Sequence, residues 1–293
     1  MTDAYLFDGQ TADDHVAGCP HCSAAIALLR RPEPALAPPP TLREAVLSKA
    51  RRRRTPAALG VATVTVPYAE QVALMDDLLG DLRGEQWDAP VPKHGTVAGL
   101  MAHLTANDAA IARFVGAPAC AGTGPHRRWR EQAGALLERV SAGSEVLLGV
   151  EVALAGVRPA RAPLRQALVQ RTFETWTHAD DIRAATGRAR AAPRAAHVHL
   201  IAEFGLALLP RALKGPRRDV SATVVLTGPG GGTWTIPLSR ASDHVAVLVS
   251  ADAVDFCRLV AGRWPPEAFP YAAEGDAALA RELLHAASTL GCD

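Results

Sequence analysis

Arg171-Thr-Phe-Glu174-Thr-Trp-Thr-His178-Ala-Asp-Asp181-Ile-Arg183 decides the architecture of most of this chain. Together with Leu164 and Leu168 upstream, its apolar positions Phe173 and Ile182 recur at helical spacing, and Pro163 stands where a first helical turn tolerates proline. Glu174 and His178 are four residues apart and share one face, with Arg171 and Asp181 flanking them on the same side.

Upstream, three more stripes keep the same period. Val72, Met75, Leu78, Leu79 and Leu82 mark one helix, and Val97, Leu100, Met101, Leu104, Ile111 and Phe114 a second. Ala133, Leu136, Leu137 and Val140 mark a third. The region from Tyr68 to Gly187 therefore reads as helical throughout, an antiparallel four-helix bundle whose functional groups project from facing helices. His103 lies beside the apolar stripe of the second helix. His103, Glu174 and His178 could form a metal site with an open position, the arrangement of a reactive centre. They also fit an ordinary Glu/His surface pair plus one half-buried histidine.

Beyond the bundle, His197–Leu213 reads as another helix, after which the period changes. Val220–Leu226 and Thr233–Leu238 are β-rich runs around Gly228-Pro-Gly-Gly-Gly232, and His244–Val249 is a third strand. Helices near Ala253–Gly262 and Asp276–Leu290 close a small α+β domain. The expected fold is mainly α: a bundle over 66–190 and an α+β domain over 191–293.

The N-terminal segment is a separate module over 1–54. His15, Cys19 and Cys22 stand as H-x3-C-x2-C, thiolates and an imidazole suited to zinc, in a segment too short to bury a core of its own. A proline-rich linker over 32–40 follows. Thr41 is the natural cap of the next helix, with Glu44 completing a capping box, and that helix ends in Arg51-Arg-Arg-Arg54. A tetrahedral ion takes a fourth donor, and Asp3, Asp8, Asp14, His21 or water could supply it.

A net charge of +1 gives no global case for nucleic acid or membrane, and no apolar stretch reaches spanning length. Five cysteines, two in C-x2-C, fit thiol or metal chemistry in a reducing compartment, so a cytoplasmic location is expected.

Two family resemblances follow from these residues. The stretch 1–54, with its H-x3-C-x2-C and proline break, resembles the zinc-binding anti-sigma factor module. That implies zinc on His15, Cys19 and Cys22 and an extracytoplasmic-function sigma factor as partner. Trp87-Asp88, Gly95-Thr-Val-Ala-Gly-Leu-Met-Ala-His103-Leu104 and Arg171-x2-Glu174-x3-His178-x2-Asp181-Ile-Arg183-x3-Gly187 resemble the DinB-like, mycothiol-dependent maleylpyruvate isomerase family. This likeness runs from Tyr68 to Gly187. It implies a divalent metal, usually zinc, on His103, Glu174 and His178, and mycothiol as the activated thiol. Asp255-Phe-Cys-Arg-Leu-Val-Ala-Gly262-Arg263 and Glu274-Gly-Asp-Ala-Ala-Leu-Ala280 look like the sterol-carrier-like domain that accompanies such bundles, whose arginine assists catalysis. Arg240, Arg258 and Arg263 are the candidates here.

Two functions are therefore expected. The leading one is a cytoplasmic anti-sigma-like regulator whose bundle senses a thiol or small ligand. The alternative is a mycothiol-dependent zinc isomerase or S-transferase.

Overall fold

The computed structural model describes residues 12–29, 40–53, 63–143, 145–156, 160–213, 215, 219–238 and 244–291. The chain divides into two compact units, residues 1–54 and 55–293. Asp3, Asp8, most of the proline-rich linker, Arg54 and Arg240 lie outside the described residues.

In the first unit, α1 (Ala12–Gly18) and α2 (Pro20–Leu29) meet at Cys19. The Cys19 N–H donates to the His15 carbonyl at 2.8 Å and the Ser23 N–H to the Cys19 carbonyl at 2.9 Å, so the turn keeps helical hydrogen bonding. Pro20 occupies the first position of α2, where its missing N–H costs nothing. Leu28 and Leu29 are exposed at 66% and 84%, so α2 ends in an uncovered apolar pair. The next helix, α3 (Pro40–Arg53), begins one residue before Thr41, which sits inside the helix rather than capping it.

The second unit opens with the bundle: α4 (Val66–Gly80), α5 (Val97–Val115), α6 (Pro125–Ser141) and α7 (Leu164–Ala185). Thr96 caps α5 by accepting from the Gly99 N–H at 3.1 Å, and Gly116, at φ 69°, ends it in the left-handed conformation. Met75, Leu100, Met101, Leu104, Trp129, Leu136 and Leu137 are buried in the bundle core. Truncating a side chain such as Trp129 there costs about 3–5 kcal/mol by the usual cavity penalty.

The region is not helical throughout. A short antiparallel hairpin, β1 (Pro90–Val91) and β2 (Gly95–Thr96), precedes α5, and a second, β3 (Glu151–Leu154) and β4 (Ala160–Pro163), precedes α7. Such short strands leave no alternating pattern to read. Phe114, expected in the core stripe of α5, is 47% exposed and lies under the Arg161 guanidinium at 5.5 Å from the ring centre. A cation over its π-face replaces hydrophobic burial there.

Helix α8 (Ala195–Ala212) leads into a four-stranded sheet in the order β6-β5-β7-β8: Gly232–Pro237, Ser221–Thr227, Val245–Asp252 and Ala272–Gly275. The central pair β5–β7 is parallel and the outer pairs are antiparallel. Helices α9 (Ala253–Val260) and α10 (Ala277–Ala287) pack on it, each capped by an aspartate, Asp252 and Asp276.

Helix α7 is shared between the two halves of this unit. Leu164, Leu168, Ala179 and Ile182 enter the bundle core, whereas Phe173 and Trp176 enter the core of the sheet half. A helix covered on nearly every side loses the amphipathic stripe of a surface helix and carries polar groups into the interior. Arg171, Glu174 and His178 are buried for that reason. A second tie joins α4 to α8. Gln71 donates to His197 Nδ1 at 2.8 Å, and His197 Nε2–H donates to Glu70 at 2.8 Å. Burial pushes the His197 imidazole below its ordinary pKa despite Glu70, so the neutral ring fits this pairing.

Candidate metal centres

Three imidazoles converge at one end of the bundle. The ligand atoms of His94, His103 and His178 all lie within 4.8 Å of one another. Ring centres are 4.6 Å apart for His94 and His103, 5.1 Å for His94 and His178, and 5.5 Å for His103 and His178. His103 comes from the second turn of α5, His178 from the buried face of α7, and His94 from the β1–β2 turn.

Glu174 lies beside the group rather than among its three converging donors. Its Oε2 is 3.9 Å from His103 Nε2 and accepts from Asn107 Nδ2 at 2.9 Å, while Arg171 donates to Oε1. The carboxylate is thus held by two donors on its own bundle. The family resemblance in the sequence pointed to His103, Glu174 and His178. The structure brings these into one neighbourhood and adds His94, which spacing did not single out. The available signal was local: His94 sits between Lys93 and Gly95, just before the cap of the helix that carries His103. A turn there folds residue 94 back over the start of that helix.

His178 is oriented from outside the cluster. Its Nδ1 is 2.9 Å from Asp181 Oδ2, which fixes Nδ1 as the protonated nitrogen and makes Nε2 the acceptor nitrogen of the ring. Asp181 is in turn gripped by Arg263, with Nε to Oδ1 at 3.0 Å and Nη2 to Oδ2 at 2.6 Å. Burial alone would raise the Asp181 pKa. The bonds from His178 and Arg263 outweigh it and hold the carboxyl below its ordinary value. Arg258 instead pairs with Asp255 and Asp180 and lies 6.0 Å from the Trp176 ring centre.

Beneath the cluster, Arg171 is also 3.8 Å from Asp108, which accepts from the Tyr68 hydroxyl at 2.8 Å. Burial drives the Asp108 carboxyl up to about 7, against the opposing pull of Arg171 and Tyr68. A cavity of about 410 Å³ includes Lys93, Gln170, Arg211 and Gly262 in its lining. It therefore reaches the residues next in sequence to His94 and Arg263.

In the first unit, the ligand atoms of His15, Cys19 and Cys22 also lie within 4.8 Å of one another, with His15 Nε2 3.4 Å from Cys22 Sγ. Hydrogen bonds from the Cys22 backbone and thiol lower the Cys19 pKa, whereas the bond to Cys19 raises that of Cys22. Cys257 belongs to neither group. It is buried in the sheet half, and burial pushes its thiol pKa far up.

Both donor sets suit a borderline or soft divalent ion. Imidazoles favour zinc, copper, nickel or iron over magnesium or calcium, and thiolates narrow the N-terminal set towards zinc.

Residues 68–183 match the family model of the mycothiol maleylpyruvate isomerase N-terminal domain. The matched segment runs through α4 to α7 and contains His94, His103, Glu174 and His178. The chain is also similar to the crystal structure of the mycothiol-dependent maleylpyruvate isomerase, at 16% identity and a TM-score of 0.46, over 69% of this chain and 88% of that one. A point mutant of that enzyme gives 16% identity and a TM-score of 0.47 over the same shares. No curated protein matches the chain. The family match over residues 68–183 favours the isomerase-like reading over the anti-sigma regulator, which was the leading expectation. Among the described residues no helix is long and apolar enough to cross a membrane.

Proposed function

We propose that residues 55–293 form a metal-dependent enzyme that uses mycothiol or a related small thiol to isomerise a small substrate or transfer a group to it. The observation that carries this reading is the convergence of His103 and His178, with Glu174 beside them, inside the segment that matches the isomerase domain. A divalent ion held there would supply a Lewis acid that lowers the pKa of a thiol or polarises a carbonyl. His103 and His178 would hold it, with Glu174 as a further donor or as the adjoining base. Asp181 keeps the His178 proton on Nδ1, and Arg263 keeps Asp181 in place. Arg171 and Asn107 fix the rotamer of Glu174 at the edge of the group. Lys93 and Arg211 give the neighbouring cavity two cations, which suits a carboxylate-bearing substrate.

The test is turnover of maleylpyruvate or a related unsaturated keto acid by the purified chain with added zinc, with and without mycothiol. Thiol-dependent turnover abolished by His178→Ala supports the reading. No turnover and no metal uptake at this site would remove it.

The first unit supports a second role. His15, Cys19 and Cys22 are close enough to share one zinc ion, and the exposed apolar end of α2 is available to a protein. We propose that this unit is a zinc module of the anti-sigma type whose partner is an extracytoplasmic-function sigma factor. Co-purification of a sigma factor that is lost in Cys19→Ser but kept in His103→Ala would support it. Equal recovery with both variants would oppose it.

A further inference from the structure

We propose that the substrate is a fatty carboxylate, a monoanion whose apolar tail lies in a groove between α7 and α8. This deepens the reading above by naming its substrate class, and it rests on that reading for the chemistry at the histidine cluster.

The groove is a second cavity of about 410 Å³ and follows one stripe of α8. Leu200, Phe204 and Leu208 recur there at every fourth position, and Val169 of α7 lines it too. Phe204 is buried and the other three are half-buried, so apolar surface stays in contact with water unless a ligand covers it. Leu208 and Arg211 line this groove and also the cavity beside the cluster, so the two spaces meet at the C-terminal end of α8. Helix α8 rises about 16 Å from Leu200 to Arg211, the reach of an extended chain of about twelve carbons.

Charge sets the direction of the ligand. Among the described residues no carboxylate lines the cavity beside the cluster, whereas Lys93 and Arg211 both do. Its neutral polar groups are already committed to protein. The Gln170 amide bonds both ways to the Ala155 backbone, at 2.9 and 2.6 Å, and the Ser288 and Thr289 hydroxyls donate to the His285 and Ala286 carbonyls at 2.8 Å. The two cations therefore recognise the ligand, and they suit an anionic head. Lys93 adjoins His94, so the head lies at the cluster end and the tail runs away from it along α8. The groove has one acid among the described residues, Glu203, two turns of α8 before Arg211 and about 12 Å from it along the axis. A second carboxylate at the tail of the ligand would meet that like charge, so a hydrocarbon end is preferred over a dicarboxylate.

The experiment is isothermal titration calorimetry on the full chain stripped of metal, with the alkanoates from hexanoate to dodecanoate below their micelle concentrations. One equivalent per chain is expected, tightening about two- to fourfold per added methylene, the upper value being that of complete burial. Arg211→Ala should weaken decanoate at least about tenfold and leave 1-decanol unchanged. Ala207→Trp, on the exposed lip of the groove, should abolish the dependence on chain length while hexanoate still binds. Dodecanedioate should bind the parent less tightly than dodecanoate and gain in Glu203→Gln. An affinity that does not rise with chain length, a rise that survives in Ala207→Trp, or uptake of several equivalents per chain overturns the proposal. Thiol-dependent turnover of maleylpyruvate together with a flat series removes the fatty chain and keeps the metal-dependent reading. A rising series in a chain that takes up no metal sinks that reading, and with it the role of the bound carboxylate as substrate.

Discussion

Arg263, from the segment after α9, grips Asp181 of α7 with two hydrogen bonds of 3.0 and 2.6 Å, and so reaches from the sheet half into the histidine cluster. Asp181 bonds His178 in the same contact, so a change in the sheet half acts on an imidazole of the cluster through one intermediate side chain. Arg263→Ala is expected to weaken zinc affinity about 10–100-fold, the usual effect of losing an outer partner. Arg263→Lys should recover only part of this, because an ammonium cannot reproduce the two-point fork. Competition titration against a zinc chelator measures both. Unchanged affinity in Arg263→Ala would deny the positioning role.

The group beneath the cluster predicts how stability responds to pH. Asp108 has an ordinary pKa of 3.8 and a folded value of about 7. Between these values the folded chain holds more protons than the unfolded one, so stability falls as pH rises. The contribution is fully present below about pH 4 and lost as pH passes through about 7. Asp108→Asn keeps the shape and removes the titration, so it should flatten this slope. Thermal melting from pH 5 to 8 for parent and variant is the check. A parent whose melting temperature rises across that interval, with no difference from the variant, would contradict it.

The four bundle helices were legible because each buries a stripe at helical period, as Leu100, Met101 and Leu104 do. Helix α7 was read from Leu164, Leu168, Phe173 and Ile182 at helical spacing, although these positions serve two cores, Phe173 that of the sheet half and the others that of the bundle. The two short hairpins were not legible, because strands of two to four residues carry no period. The parallel pairing of β5 with β7 was likewise invisible, because it depends on the crossover of the chain and not on either strand alone. Spacing put Glu174 and His178 on one helix face, and the family resemblance added His103 to them as a candidate set. His94 could not be found either way, because its place depends on the backbone of a tight turn.

That turn supplies a third prediction. Gly99→Ala puts a methyl group into the His94 carbonyl, so the hairpin must lift off α5. Overpacking of this kind costs about 1–3 kcal/mol, and here it also carries His94 away from its neighbours. Urea unfolding should show the lost stability, and cobalt(II) titration of the same variant a weaker complex. A variant with the stability and metal affinity of the parent would show that the close approach is not needed.

Three of the described cysteines, Cys19, Cys22 and Cys257, should separate by reactivity. Cys19 and Cys22 are only partly covered, and Cys19 is the more acidic of the two, so it should react first with an aromatic disulfide at neutral pH. Zinc bound to both sulfurs should protect them, and a chelator should release them together. Cys257 is buried with its thiol pKa driven up, and its sulfur donates to the Val198 carbonyl at 3.5 Å. It should stay silent until the chain unfolds. Mass spectrometry of the labelled protein, with and without zinc, assigns each site. Rapid native labelling of Cys257 would mean that the core of the sheet half opens readily, and labelling of Cys19 that ignores zinc would mean that the N-terminal donors do not share an ion.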